Sequence, residues 1–443
     1  MDLGSTSAQN LLSEMSHLIN VKDFAQAEIL LSRNTLLLQN AATYLLQSRI
    51  AQHRGEFHNA WLWLWRGLAV AAEDLQLQRE MAVVLELMKR PWDPSAVLEP
   101  NIRVLQGTME IGNQMNVLSA GLKELGTMSQ VLSYYQFYLG YASDFSWNLA
   151  QEKDPNINKK LQRLTRDLVN LYDVFHFHFG TSLTLDHSDL AMLVESGKSI
   201  LMQHWGSEVR LLSKARQSNP YAKVKVANEA SIRQRLSTLS ATISDCMVAD
   251  MELYQYVKDY YENVHIVPSM VDLDAYHPLA DAKTPAQRPL LVHAPTNQDI
   301  KGTQFILRAV EKLKQRYSFD FQLIQGMSHA EAKSVYQQAD IVIDQLHIGS
   351  YGLLAVESMA MGKPVICWIS DFMHDNYPKD LPIVSANPDN ITQVLEHLLQ
   401  NLDALPDIGQ KSRVYVERVH DMRTNSGDIL NIYRAMGSKG KDG

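Results

Sequence analysis

From residue 5 to about residue 95 the apolar positions recur at helical spacing with no strand-like alternation, and the first proline is Pro91, near the end of that stretch. The pattern predicts an all-helical region. From residue 100 the texture changes to short apolar runs alternating with amphipathic stretches, which is the signature of parallel α/β layers. Predicted strands are IRVLQG (102–107), DVFHFHF (173–179), SILMQHW (199–205), CMVADM (246–251) and VHIVPS (264–269), with helices such as QMNVLSAGLKELG and IRQRLSTLSATI between them. A Pro- and Ala-containing segment, HPLADAKTPAQRP (277–289), reads as an interdomain linker. A second series follows: RPLLVHA, a helix over 302–317, FDFQLIQG, a helix over 328–339, DIVIDQL, a helix over 352–361, then KPVICWI. Repeated strand-helix units of this kind bind phosphorylated ligands at the carboxyl ends of the strands.

Within the helical region VKDFAQAEILLSR (21–33) matches RGEFHNAWLWLWR (54–66), with Phe24 over Phe57 and Ala27 over Ala60 at an offset of 33. This spacing resembles the tetratricopeptide repeat, where a small residue lets paired helices approach closely. Two such units bury little surface by themselves, so the module is expected either to stabilise the rest of the chain or to recognise a partner. The alternating Trp and Leu of AWLWLWRGL (60–68) read as helix core rather than a sugar platform.

A chain of 443 residues exceeds the usual size of one hydrophobic core, so two or three domains are expected. Hydrophobic content of 46% with 20% charged residues is that of an ordinary globular protein. A formal charge of -8 gives no global attraction to nucleic acid or anionic lipid, which removes nucleic-acid binding as a first reading. Cys246 and Cys367 lie in apolar contexts without metal-type spacing and read as reduced core residues. The amino terminus has no signal-peptide pattern and no apolar run is long enough to span a bilayer, so a cytoplasmic location is the default expectation.

Chemistry concentrates in GSYGLLAVESMAMGKPVI (349–366), read as loop, helix and strand. Backbone N–H groups around Gly352 and the partial positive charge of a helix start suit a diphosphate. Glu357, a little over one turn into that helix, is placed to accept hydrogen bonds from a ribose diol. A packing glycine followed by a solvated glutamate is the plainer alternative.

This stretch resembles the retaining GT-B glycosyltransferases, in particular the large family four group, whose signature reads F/Y-G-L-x-x-x-E-A-M-A-x-G-K-P-V. YGLLAVESMAMGKPV (351–365) matches most of it, and the resemblance spans roughly residues 100 to 436. IVPSMVDLDAYHP (266–278), IKGTQFILRAVEKL (300–313) and QHWGSEVR (203–210) resemble further family segments, in the family's order.

The resemblance implies an α/β fold of two Rossmann-like lobes preceded by an all-helical repeat-like module. The boundaries it implies are a helical module over 1–97, a first, acceptor-side lobe over 98–276, a linker over 277–287, and a second, nucleotide-sugar lobe over 288–443 whose final helix, near 416–436, crosses back to the first. It implies that Lys301 offsets charge on the departing diphosphate, that Ser350, Tyr351, Gly352, Leu353 and Leu354 form the loop near the phosphates, and that Glu357 holds the ribose. Gly107 and Gly112 match the first-lobe glycine-rich loop, and His204 matches a histidine near the donor sugar, with a structural role as its alternative.

Two departures stand out. Gly349 occupies the position where the family places a first glutamate, and HAPTNQDIK (293–301) lacks the arginine that usually precedes the matched lysine, leaving Thr296 or Asn297 as neutral substitutes. Asp272 and Asp274 spell a D-x-D that the lobe-closing segment accounts for without a metal. His176 and His178 share one strand face, where acceptor contact or packing is expected.

The activity implied is transfer of a hexosyl-type group from a nucleoside-diphosphate sugar to an acceptor hydroxyl, with retention and with neither cofactor nor metal. Expected partners are the nucleotide sugar and a glycan or protein acceptor, with no nucleic acid; peripheral membrane association and oligomeric state stay open. The alternatives are an adaptor that binds sugar nucleotides without turnover, and an epimerase or phosphorylase on the same fold. A phosphorylase of the familiar kind would need a pyridoxal-phosphate lysine, and none is identifiable in the sequence.

Overall fold

The structure, a computed structural model, describes residues 3–24, 26, 27, 30, 41–71, 73–89, 102–135, 139–279 and 288–439. The chain divides into two compact units, Met1–Pro100 and Asn101–Gly443.

The first unit is helical among its described residues, with helices Leu3–Asn20, Ala41–His53, Phe57–Val70 and Leu75–Lys89. Its 33-residue offset has a backbone counterpart: Lys22 (φ 64) and Gly55 (φ 75) both take the left-handed conformation in the turn that precedes the matched helical segments. Ala27 and Ala60 are both fully buried, and the Phe24 ring stacks on His53 at 3.7 Å. Residues 25, 28, 29 and 31–33 of the first matched segment lie outside the described residues. Trp61 and Leu64 are fully buried, which puts the Trp/Leu stripe in the core on that side.

The second unit holds two all-parallel sheets. The larger has strands β1 (Arg103–Thr108), β2 (Met128–Ser133), β3 (Phe145–Ser146), β4 (Val174–His178), β5 (Ser199–Gln203), β6 (Asp245–Val248) and β7 (Asn263–Ile266), in the order β3-β2-β1-β4-β5-β6-β7. The smaller has β8 (Leu290–His293), β9 (Asp320–Leu323), β10 (Ile341–Ile343) and β11 (Val365–Ile366), in the order β11-β10-β8-β9. Strand order reverses at β1/β4 in one sheet and at β8/β10 in the other, and at such switch points the loops diverge to leave a crevice beyond the carboxyl ends.

Most predicted elements appear with shortened ends. CMVADM stops as a strand at Val248, because Asp250 caps the helix Met251–Val257 by accepting Leu253 N–H. The pattern gave no sign of β2 or β3. The long closing helix is two, Leu405–Val419 and Met422–Lys439. The break falls at His420, whose Nδ1 bonds to Ser269 O at 2.6 Å, while Asp421 bridges to Val271 and its carboxylate accepts from the Arg423 amide. Beyond the break Met422, Ile429, Leu430 and Tyr433 pack with Val104, Leu118, Leu122, Val174, Leu201 and Met247, so the last helix covers one face of the larger sheet.

Tyr433 Oη also meets His176 Nδ1 at 2.7 Å, and His178 Nε2 meets Gln106 Oε1 at 3.0 Å. Both histidines are fully buried, and burial pushes both below the usual histidine range, His178 down to about 3. They are neutral packing groups, and neither presents a surface to an acceptor. Burial likewise pushes the free thiols of Cys246 and Cys367 up. Among the described residues, no helix is long and apolar enough to cross a membrane.

Candidate functional site

At the second switch point, the chain leaves β8 through His293 into a short helix, Gln298–Lys301, whose amino end is capped by Asn297 Oδ1 accepting from Ile300 N–H at 3.0 Å. That bond commits Asn297 to the local backbone, while Thr296 is exposed. Gly302 (φ 75) ends the helix and starts Thr303–Lys314. Lys301 is thereby turned toward the end of β10, where its Nζ lies 2.7 Å from Asp344 Oδ1. Asp344 is fully buried, and its other oxygen accepts the Gly352 amide at 2.7 Å.

This geometry corrects one expectation. In the free protein the Gly352 N–H does not stand open; it donates to Asp344, whose buried carboxylate is paired by this amide and by Lys301. The first-turn amides of Leu353 and Leu354 have no partner four residues back within the helix Leu353–Ala360 and retain the helix-terminal charge. The surrounding loop is packed rather than open. Ser350 is buried, Tyr351 Oη bonds to His420 Nε2 at 3.0 Å while its ring stacks on Tyr377 at 4.6 Å, and Leu354 packs against the core beneath the helix.

Further along the same helix, Glu357 Oε1 accepts Tyr276 Oη at 3.0 Å and meets His329 Nε2 at 2.9 Å. Neither bond uses Oε2. Burial first, and the Glu357 carboxylate second, push the Tyr276 hydroxyl up, so it stays a donor. His329 also ties the two sheets' loops together: its amide donates to Leu139 O at 3.1 Å and its ring lies 5.1 Å from that of Tyr141. A cavity of about 350 Å³ opens there, between Asn113, Asn116 and Tyr141 on one side and His329 on the other.

The first-lobe glycines separate. Gly107 is inside β1, in register with Leu132 and Phe177, and is not part of a loop. Gly112 (φ +59) is in the loop after β1, and a Cβ built on it would fall 2.0 Å from Leu353 Cδ1. In the same loop Glu110 is buried, accepting Met115 N–H at 3.1 Å and Asn116 Nδ2 at 3.1 Å. Burial pushes its carboxyl up to about 7, against the pull of those donors.

His204, at the end of β5, is 1% exposed, with Nε2 2.8 Å from Tyr261 Oη and Nδ1 3.5 Å from Glu208 Oε1. Burial raises the Glu208 carboxyl, and the nearby His204 ring together with the Trp205 amide outweigh it and hold the group low. The imidazole is thus enclosed in a Tyr-Glu pair instead of facing a sugar. Downstream, Arg210 pairs with Glu252 at 2.8 Å, and its guanidinium fills the space a Cβ on Gly206 would need.

Gly349 is a backbone requirement. Its φ is +85, and a Cβ there would lie 3.0 Å from Ser370 Cβ and 3.2 Å from the Trp368 ring. Residues 341–350 are buried throughout, and a first-lobe segment closes over them. Asn219 Nδ2 donates to His347 O and Ile348 O at 2.8 and 2.9 Å, the Tyr221 ring stands edge-on to Trp368 at 5.0 Å, and Lys223 pairs with Asp299 at 2.5 Å. Asp272 accepts two amides of its own turn, and Asp274 pairs with Arg423 at 2.7 Å, so both aspartates have structural partners.

No family model matches the chain, and no curated protein sequence matches it. Solved structures do. A glycosyltransferase from Rickettsia africae superposes with a TM-score of 0.55 at 14% identity, over 76% of this chain and 99% of that one. HepE from Anabaena, in complex with UDP-glucose, gives 0.53 at 11% identity over 75% and 99%. Sucrose-phosphate synthase from Thermosynechococcus elongatus gives 0.52 at 14% over 77% and 100%. The likeness is one of fold: two Rossmann-like lobes of the GT-B kind, here preceded by a helical unit.

Proposed function

We propose that the chain is a nucleotide-sugar glycosyltransferase of the retaining type. The observation that carries this reading is the meeting of Lys301 with the amino end of the Leu353–Ala360 helix at the carboxyl ends of β8 and β10. A cation beside helix-terminal amides at a switch point is a site for a diphosphate. Glu357, four residues past Leu353 and so about 6 Å along the helix axis, suits a ribose attached to that diphosphate. Its contacts with Tyr276 and His329 both fall on Oε1 and fix the carboxylate in place for that bond. A fold neighbour solved with UDP-glucose supports a nucleoside-diphosphate sugar as donor.

The chemistry assigned to these residues is electrostatic. Lys301 and the amides of Leu353 and Leu354 stabilise the diphosphate as it departs, and its phosphate oxygen takes the acceptor proton on the same face, so neither metal nor strong side-chain base is required. The donor is a substrate, and no cofactor enters. We assign residues 98–276 to the acceptor side, 288–443 to the donor side, and 1–97 to a tetratricopeptide-like module that recognises a protein or glycan acceptor. His204 acts, in this reading, through Tyr261 and Glu208 as a support of the first-lobe wall and not as the catalytic group its motif implied.

Two observations favour the adaptor reading: Asp344 neutralises Lys301, and position 349 has no carboxylate for the donor sugar. Calorimetry with UDP, ADP and GDP separates the effects of the site residues. Wild-type protein is expected to bind one of them, and Glu357→Ala to bind it at least about tenfold more weakly, the loss of one charge-assisted hydrogen bond. Equal affinity in the two proteins contradicts the ribose assignment.

A further inference from the structure

The Lys301–Asp344–Gly352 arrangement has a consequence for how a ligand enters. One carboxylate, fully buried, uses one oxygen for the Lys301 ammonium and the other for the Gly352 amide, each at 2.7 Å. These are a cation and a helix-terminal N–H, the same two kinds of donor that a diphosphate recruits. The approach is close: a Cβ at position 352 would lie 3.2 Å from Asp344 Oδ2 and 3.4 Å from Lys301 Nζ. No arginine stands in the preceding HAPTNQDIK segment, and Asn297 there is committed as a cap, so nothing in that segment replaces the cancelled charge.

We propose that Asp344 is a built-in occupant of the diphosphate site, a carboxylate that holds the place of a phosphate until the donor displaces it. This rests on the donor-site reading above. In the free protein the pair spares a partly buried ammonium and a partly buried amide from being left without partners. On binding, Lys301 Nζ and the Gly352 N–H exchange Asp344 oxygens for phosphate oxygens, with no covalent change. The exchange makes donor affinity a difference between two similar sets of bonds. A ligand with one phosphate gains little over the carboxylate it replaces, whereas a diphosphate adds a second anionic group that also reaches the amides of Leu353 and Leu354. The site therefore discriminates for diphosphates over monophosphates by competition from within.

The test is calorimetry with UDP, ADP, GDP, UMP and inorganic pyrophosphate on wild type, Asp344→Asn, and the Lys301→Met/Asp344→Asn double variant. Removing a charge in contact with the cation is expected to tighten the diphosphates at least about tenfold and to narrow the diphosphate-to-monophosphate ratio. The gain should disappear in the double variant. Unchanged or weaker diphosphate affinity in a folded Asp344→Asn protein overturns the inference and makes Asp344 an anchor for Lys301 instead. Should that variant not fold, a crystal structure of the wild type with UDP decides. Lys301 Nζ and the Gly352 amide turned from Asp344 onto phosphate supports the exchange, and both bonds intact overturns it. Wild-type binding that Glu357→Ala loses, without a gain in Asp344→Asn, removes this inference alone; absence of binding by every protein removes the donor-site reading with it.

Discussion

Gly112, in the loop after β1, and Leu353, at the start of the helix beside the second switch point, touch so closely that a methyl group on the glycine would sit 2.0 Å from Leu353 Cδ1. Gly112 also has φ +59, so alanine there carries backbone strain of about 1–3 kcal/mol before any clash. Gly112→Ala is expected to destabilise the protein to urea by at least that much. It should cost less in a Leu353→Ala background, where the clashing atom is gone. Equal costs in the two backgrounds would show that the contact does not form in solution.

Placing a glutamate at position 349, as in the signature that 351–365 resembles, should fail. Gly349→Glu places a side chain on a left-handed backbone between Ser370 and Trp368, in a loop that Asn219 holds from across the cleft. The expected outcome is a loss of about 1–3 kcal/mol in stability and no gain in donor cleavage. A variant as stable as wild type and faster with donor would mean that the loop rearranges to seat a carboxylate.

How far the sequence disclosed this site follows from the range of each interaction. The loop-helix-strand motif at 349–366 is local, and Gly352 just before the helix and Glu357 a little over one turn into it stand where their spacing implied. Tyr276 and His329 reach Glu357 from 81 and 28 residues away, through a fold that no local period encodes. Asp344 was hidden in DIVIDQL, where an acid at the end of an apolar run reads as a strand boundary; only the parallel pairing of β10 with β8 brings it to Lys301. Strand β2 escaped notice because MSQVLS carries Ser129 and Gln130, polar side chains that are buried here and break the apolar run. His204 illustrates the reverse case: its motif was legible, but burial against Tyr261 and Glu208 depends on strands and helices that fold around it.

Glu110 gives a pH signature. Its folded carboxyl is raised from 4.5 to about 7, so between those values the native state keeps a proton the unfolded chain has released. Stability is then lost as pH rises through that window, and the loss is complete above about pH 7. Glu110→Gln removes the titration, so urea unfolding at pH 5 and pH 8 should show the variant gaining about 2–3 kcal/mol on wild type across the interval. A difference between the two proteins that does not change with pH contradicts a buried, protonated Glu110.

The central claim is that the chain cleaves a nucleotide sugar at Lys301, and the most direct measurement is release of nucleoside diphosphate from a panel of UDP-, ADP- and GDP-sugars by wild type and Lys301→Ala. The expected result is slow cleavage of one donor by wild type, slowed further by roughly a hundredfold, a barrier raised by about 3 kcal/mol, in Lys301→Ala at saturating donor. Equal rates in the two proteins, or binding without cleavage of any donor in the presence of candidate glycan and peptide acceptors, would contradict it.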